Sequence, residues 1–538
     1  MSDLTLTPRP SRSIYFILFF LTLYAFTTYW YATLRFGGAW NENDTLHLTH
    51  SILSAQESGS LLNTRFPYGN GFTFQSVVLF LMELSGVSIQ TLQIYILPSI
   101  ACFFPVVAFI TYRSFTRNNV TALLAALLLY LQPDFLFVTW RGSHEKITWM
   151  LALLMLFLLT KSFNPNRRTS VLARYMLPFY LIAFAFVSSN AFFASSFIVA
   201  LAVSTLTGMI WLFVRARLQQ PISESVQRQV FRLFFMTLAC GILLYLFFFH
   251  LYPPANSLLN AFGSMVDAVT ALLLNVGPDR PVEANAYNYI AGAWVDPWLY
   301  PLLNSLSLLI LALSPMVWLR GVPRFLLNEI SEHDLPMVYL WLIYPAFVLQ
   351  LVASVFVDRV SILGSNIQVR LFTPLMLISI PLVAHDLANL LRWAADRRWA
   401  QRGLLAAGVV CFALFSTFAL MKSTNEPLVN NNWIFTTHAE RLAGQWVLDH
   451  SVEPMIWEGD NVRLRFAMPF YDDEISPDVF RSGLPVAQGT RYFVVSEIER
   501  ALWLRRTETY PYLEDELRIY DNGQVQVFYR RPRNAYQR

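Results

Sequence analysis

Eleven long apolar runs, each closed by a short polar stretch, carry the chain as far as about residue 421. They fall at 14–34, 89–111, 120–137, 147–160, 172–189, 191–213, 232–252, 297–319, 336–357, 368–386 and 403–421. A helix rises about 1.5 Å per residue and the hydrocarbon core is about 30 Å thick, so each such run predicts a membrane span. The run at 147–160 is short and is expected to begin a few residues earlier. Ile14–Leu34 is too long for a signal-peptide core and lacks a small-residue cleavage site, so it is kept as a span. One further segment, FTFQSVVLFLMELS at 72–85, makes only about 21 Å of helix. It is expected to lie along the membrane interface and not to cross.

Charge then orients the runs. With 72–85 not crossing, the loops on one side hold 18 Lys and Arg, among them Arg113, Arg117, Arg215, Arg217, Arg392 and Arg402. The opposite loops are longer and hold 7, namely Arg35, Arg65, Arg141, Lys146, Arg280, Arg359 and Arg370. Basic residues resist translocation, so the richer side is expected to be cytoplasmic. The N-terminus is then inside and the C-terminus outside. Letting 72–85 span would invert every later loop and erase the bias.

From about Lys422 the pattern changes to that of a soluble domain. HAERLAGQWVLDH has helical spacing, with Leu442, Trp446 and Val447 expected on one face. RYFVVSEIE reads as a buried strand, and LRIYDNGQVQVFYRR alternates around Asn522-Gly523, a hairpin signal. The expected fold class is an α-helical polytopic membrane protein of about 11 transmembrane helices with a small C-terminal α+β extracytoplasmic domain. Residues 1–421 are expected to form the first part and 422–538 the second. Composition agrees: 55% of residues are hydrophobic and only 14% charged, too few charges for a soluble surface. A net charge of +4 asks for no nucleic acid. Cys102, Cys240 and Cys411 all lie within apolar runs and read as small buried hydrophobes, with neither disulfide nor metal spacing.

The ionisable groups of the outer face remain. Loop 35–71 contributes Glu42, Asp44, His47, His50 and Glu57. Loop 138–146, VTWRGSHEK, contributes Arg141, His144, Glu145 and Lys146. Loop 253–296 adds Asp267, Asp279, Arg280, Glu283 and Asp296, and loop 358–370 adds Asp358, Arg359 and Arg370. Charges at a membrane boundary are costly unless paired or wet, so their gathering on one side invites a functional reading. Asn43 or Asp44 can cap a helix beginning TLHLTHSILSAQES, and in that helix Asp44 and His47 share a face. Asp44 is thus either a cap or a catalytic carboxylate. Two histidines three apart make a weak metal signal without a third ligand. Pro67, Gly69 and Gly71 force turns before 72–85 and are expected to fold the first loop back as a cavity wall. Arg370, at the outer end of a span, is either a snorkelling arginine or a phosphate clamp, since guanidinium binds phosphate through paired hydrogen bonds.

Taken in order, these features are an acidic first outer loop, a Tyr/Pro/Gly turn and a short apolar segment ending ELSGVS. Then come a charged RGSHEK between the third and fourth spans and an R-x-x-x-P start to a late span. The whole resembles the type C (GT-C) glycosyltransferases, polytopic enzymes that use polyprenyl-phosphate-linked sugars. Protein O-mannosyltransferases, lipid A aminoarabinose transferases and oligosaccharyltransferase catalytic subunits belong there. The resemblance covers residues 14–421 in architecture. It implies that an acidic residue of the first outer loop is the catalytic base or a metal ligand. Asp44 fits, with Glu42 as substitute, and Glu145 fits a second acidic position. The family's adjacent Asp-Glu pair is here Glu-Asn-Asp. The WWDYG signature of oligosaccharyltransferases is absent, which argues against transfer of a whole glycan to asparagine.

The expected function is inverting transfer of a sugar from a polyprenyl-phosphate-linked donor to an acceptor hydroxyl on the extracytoplasmic face. Polyprenyl phosphate leaves readily, so a base near the acceptor hydroxyl is the group the reaction needs. Asp44, Glu42 and Glu145 are the catalytic candidates. His47, Arg141, His144 and Arg370 are the substrate-binding candidates, the arginines neutralising charge on the phosphate. A divalent metal, Mg or Mn, is an optional cofactor, with Asp44 and Glu145 as its ligands. Expected partners are the lipid-linked sugar, a lipid, glycan or protein acceptor, and membrane lipid; the expected location is the plasma membrane. One alternative is a lipid-linked-sugar transporter or flippase, which would carry mid-span charges and inverted repeats not seen here. The other is a non-catalytic membrane scaffold.

Overall fold

The computed structural model describes residues 12–35, 43–62, 68–162, 169–220, 224–255, 263, 270, 299–327, 334–360, 367–395, 397–423, 438–450, 456–458, 480–481, 491–497 and 516–531. A helix stands at each of the eleven apolar runs. In chain order the helices are α1 (Arg12–Arg35), α2 (Asn43–Ser58), α3 (Thr73–Ser85), α4 (Ile89–Thr116), α5 (Asn119–Tyr130) and α6 (Pro133–Trp140). Then follow α7 (Glu145–Ser162), α8 (Thr169–Ser189), α9 (Ala191–Arg217), α10 (Glu224–Leu246), α11 (Leu299–Leu303) and α12 (Ser305–Leu327). The last of the bundle are α13 (Leu335–Val360), α14 (Ile367–Ala395) and α15 (Arg398–Ser423). Among the described residues eight helices are long and apolar enough to cross a membrane, or nine when the α5–α6 pair, bent by 71°, counts as one span. The chain is a polytopic α-helical membrane protein. The short 147–160 run does begin earlier, at Glu145. The 297–319 run is divided: α11 ends at Leu303 and the long helix starts after Asn304.

Local chemistry explains the breaks. Asn118 accepts hydrogen bonds from Val120 N and Thr121 N and so starts α5. Pro133 occupies the first turn of α6, where its missing N–H costs nothing, and the path bends by 71° just before it. Gly86 adopts a left-handed φ of 67° and closes α3. Two π-helical turns interrupt the regular ladder, at Leu92–Ile96 inside α4 and at Phe247–Leu251 after α10.

Contacts sort the helix ends into two faces. On one, Arg215 Nη1 donates to Phe325 O (2.9 Å), Arg232 Nη1 to Ser162 O (3.4 Å), and Arg320 pairs with Asp386 (3.3 Å). This is the arginine-rich face. On the other, the loops at 68–72, 141–144 and 190 meet. Helix α3 begins and ends on this loop-bearing face. Thr73 Oγ1 lies 2.6 Å from Ser188 Oγ, and Glu83 near the other end accepts from Gln56 of α2 (2.8 Å). Its 13 residues make about 20 Å of helix, too little to reach the opposite face.

Past α15 come helix α16 (His438–His450) and strands β1 (Ile456–Glu458), β2 (Phe480–Arg481), β3 (Tyr492–Ser496), β4 (Leu517–Asp521) and β5 (Val525–Tyr529). The sheet order is β2-β1-β3-β5-β4, with β1 parallel to β2 and β3, and β5 antiparallel to β3 and β4. The hairpin turns at Asn522-Gly523, where Gly523 takes φ 87° and its N–H donates to Asp521 Oδ1 (2.8 Å). That bond holds the Asp521 carboxyl below the ordinary carboxylate range. Helix α16 buries Ala443 and Val447 against Tyr492, Val494, Val525 and Val527. Leu442, expected beside Val447, is instead 49% exposed: the helix turns its smaller Ala443 toward the strands. Cys411 also departs from expectation. Cys102 and Cys240 are buried, but Cys411 lies on an outward side of α15.

The two faces make a labelling prediction. In a Cys411→Ser background, Arg518→Cys in β4 should react with a membrane-impermeant maleimide on intact cells. Arg217→Cys should react only after permeabilisation, and equal labelling of both would overturn the assignment of sides.

Candidate active site

The loop-bearing face is organised around one helix break. Helix α8 stops at Ser189 and α9 starts at Ala191, with Asn190 extended between them. Its side-chain Oδ1 accepts from Phe193 N (3.1 Å), capping α9. Three further segments gather on this break.

The first is the turn at 68–72. Ala191 N donates to Asn70 O (2.7 Å) and Phe72 N to Ser188 O (2.7 Å), so the turn is held backbone to backbone. No side chain fits at Gly71, where a Cβ would stand 2.2 Å from Ser188 O. Tyr252, which follows the π-turn after α10, donates its hydroxyl to Tyr68 O (2.7 Å). Its ring lies 5.3 Å from that of Phe72. The Gly-containing turn does fold the first loop back over the bundle; Pro67 itself lies outside the described residues.

The second is the RGSHEK loop at 141–146, in which Arg141, Ser143, His144, Glu145 and Lys146 are all buried. Arg141 Nη1 pairs with Glu145 Oε1 (3.2 Å), and Ser143 Oγ donates a short hydrogen bond to Glu145 Oε2. Lys146 donates to the carbonyls of Arg141 and Ser143, so a side chain supplies the partners that a buried, non-helical backbone needs. His144 Nε2 lies 2.7 Å from Asn190 Nδ2. Since Asn190 Oδ1 is committed to Phe193 N, the amide nitrogen is the donor and Nε2 accepts. The imidazole proton then sits on Nδ1. The same ring meets Tyr68 edge-on at 5.1 Å. Gly142 abuts α2: a Cβ there would stand 2.5 Å from the Thr45 methyl. Thr49, one turn on, donates to Gln93 Oε1 (2.9 Å) in the π-turn of α4.

The third is Arg370 in the first turn of α14. It is exposed, and its guanidinium stands 5.9 Å from the ring centroid of Phe192, two residues past the capping asparagine.

Of the residues singled out from the sequence, the structure thus brings Arg141, His144, Glu145 and Arg370 around Asn190. Asp44 and His47 lie in α2, which begins at Asn43, but their side chains fall outside the described residues. Glu42 lies outside them altogether, as do Asp267, Asp279, Arg280, Glu283 and Asp296. Asn190, Tyr252 and Gln93 were not singled out, although the polar SSN between two apolar runs at 188–190 was a visible signal for the first. A divalent metal has no complete ligand set among the described residues, where no three His, Cys, Asp or Glu come together. Both Glu145 oxygens already accept hydrogen bonds. The Asp44 side chain, the other ligand the resemblance implies, lies outside the described residues.

No family model matches the chain, and no curated protein does. Solved structures do. ArnT from Cupriavidus metallidurans in the apo state superposes with a TM-score of 0.50 at 12% identity, covering 95% of this chain and 97% of that one. The chain has the GT-C fold. The apo oligosaccharyltransferase of Archaeoglobus fulgidus gives 0.48 at 13% identity over 82% of this chain. The match spans 58% of that longer protein. On the GT-C frame the gathered segments occupy the ends of helices, where breaks leave polar groups to be satisfied by one another.

The two close glycine approaches differ in kind, which makes a testable contrast. Gly142→Ala should lower stability by about 1–3 kcal/mol through overpacking, and Thr45→Ala should restore most of it, because the clash is with a side chain. Gly71→Ala should not be rescued by any side-chain truncation, because its clash is with the Ser188 carbonyl. Thermal unfolding of the detergent-solubilised variants and the Gly142/Thr45 double mutant reads both; an unrescued double mutant would refute the Gly142–Thr45 contact.

Proposed function

We propose that the chain is a membrane glycosyltransferase that moves a sugar from a polyprenyl-phosphate-linked donor to an acceptor hydroxyl on the extracytoplasmic face, with inversion. The observation that carries this reading is the buried Arg141–Glu145 loop on a GT-C frame, docked on the Asn190 break with Arg370 over the neighbouring Phe192. We place the protein in the plasma membrane, with the N-terminus in the cytoplasm and residues 422–538 outside, from the charge bias of the loops.

The geometry divides the labour. Glu145 accepts from Arg141 on one oxygen and from Ser143 on the other, so both of its oxygens are engaged. In this reading Glu145 positions Arg141, and deprotonation of the acceptor falls to the first loop, to Asp44 with Glu42 as the second choice. Displacement breaks the bond between the anomeric carbon and the phosphate oxygen. The acceptor oxygen forms the new bond, and the carboxylate takes its proton. Arg370, exposed at the start of α14, can turn to meet the phosphate, and its planar fork suits two phosphate oxygens. His144 presents an Nδ1–H donor whose orientation Asn190 fixes.

The test is transfer by the purified full chain in proteoliposomes, using a panel of radiolabelled polyprenyl-phosphate monosaccharides and envelope extract as acceptor. Asp44→Asn keeps shape and removes basicity, so transfer should fall by about 10²-fold or more with donor binding retained. Arg370→Ala should mainly raise the KM for donor. Near-normal transfer in an Asp44→Asn/Glu42→Gln double mutant would show that the first loop holds no base. No transfer from any donor by the wild-type chain would overturn the reading.

A further inference from the structure

The arginine-rich face carries a feature that the transfer reaction does not use. Where α14 ends at Ala395 and α15 begins at Arg398, the chain reads RWAADRRWAQR over 392–402, four arginines against the single carboxylate of Asp396. Arg392, Arg397 and Arg402 are exposed there, and so are Trp393 (48%) and Trp399 (73%). Two exposed arginines elsewhere on this face are neutralised: Arg228 pairs with Glu224 (2.6 Å) and Arg320 with Asp386 (3.3 Å). At the corner, Arg392 donates to the Asn389 amide oxygen, and Arg397 stacks on Trp393, its guanidinium carbon 4.4 Å from the ring centroid. Among the described residues no carboxylate pairs with Arg392, Arg397 or Arg402; Asp396 itself lies outside them. Beyond the corner α15 turns Leu405, Val409, Val410 and Leu414 outward, an apolar strip running away from the arginines.

We infer that this corner binds the headgroup of an anionic phospholipid, with its acyl chains along the outward strip of α15. Three features point to a lipid and to its charge. Exposed tryptophans settle at headgroup depth, with the ring in the interface. Four arginines leave a clear positive excess over one aspartate, complementary to a phosphate diester bearing a net negative charge. The apolar strip starts about one helical turn past Arg402, where acyl chains would continue from a headgroup held at the corner. A soluble anion would engage the arginines alone, whereas a lipid engages the arginines, the tryptophans and the strip together. The proposal rests on the membrane fold and not on the transfer reaction.

Native mass spectrometry of the full chain in detergent, with equal dioleoyl-phosphatidylglycerol and dioleoyl-phosphatidylcholine added, tests it. Wild type should retain phosphatidylglycerol about a hundredfold over phosphatidylcholine, the three exposed arginines contributing about fivefold each. Arg392→Gln/Arg397→Gln/Arg402→Gln should bring the ratio to within about twofold of unity. Arg402→Gln alone, a milder change, should lower it about fivefold, and Arg228→Gln should leave it unchanged. Trp399→Ala should weaken retention of both lipids. A wild-type ratio near unity, an unchanged ratio in the single and triple corner variants, or full displacement of the lipid by millimolar inorganic phosphate would overturn the site.

Discussion

A backbone amide or carbonyl removed from water must find its partner within the protein, and the loop-bearing face of this bundle is built to that constraint. The break between α8 and α9 frees the Phe193 amide, which Asn190 caps, and the Ser188 carbonyl and Ala191 amide, which the 68–72 turn takes up. The turn can approach only because position 71 has no side chain. The RGSHEK loop solves the same problem with Lys146, whose ammonium serves two carbonyls. The 68–72 turn thus serves the break, the RGSHEK loop serves itself through Lys146, and Asn190 ties the two by bonding His144.

Charge follows the same logic with larger stakes. Removing one partner of a buried ion pair typically costs about 3–5 kcal/mol, because the other charge is stranded. Arg141 and Glu145 are bound by that penalty to each other, and Ser143 orients the carboxylate from its second oxygen. In the proposed transfer, the pair contributes a fixed guanidinium plane in a site of low dielectric, where an anion is attracted more strongly than it would be in water. The cost of burying Glu145 is thereby converted into preorganisation of the arginine.

Much of this is legible in the chain. Apolar run length locates a helix at each of the eleven runs, and the Asn522-Gly523 pair locates the hairpin, because both signals depend on neighbours in sequence. The Gly71 turn is legible for the same reason. Asn190 is harder: a cap residue between two apolar runs looks like any short connector until His144, 46 residues away, is seen against it. The π-turns at 92–96 and 247–251 leave no composition signature, since each is one extra residue absorbed into a helix, and they carry Gln93 and lead into Tyr252. The placement of Leu442 fails for a related reason. Hydrophobic size favours Leu442 as a core residue, but Ala443, one turn before Val447, is what meets the strands, and which helix face packs is set by the strands and not by the helix sequence alone.

The bent segment α6 shows how the site is tied to the rest of the chain. Its eight residues span about 12 Å, and each end is fixed by a buried polar group. At one end Trp140 leads into the Arg141–Glu145 loop. At the other, Asp134 pairs with Lys422 (2.6 Å), which also donates to Asn304 (2.6 Å), while Ser423 Oγ donates to Pro133 O (2.8 Å). The clamp joins the last residues of α15 and the residue before α12 to the 71° bend. The carbonyls freed at the end of α5 are taken up locally, Leu127 O and Leu129 O by the Leu131 and Gln132 amides and Leu128 O by Gln132 Nε2, and the clamp adds ties from the bend to α15 and α12. The loop that carries Arg141 therefore hangs from a short rigid strut whose far end is set by the final helix. Packing at the end of α15 and the placement of the 141–146 loop are thus joined through α6.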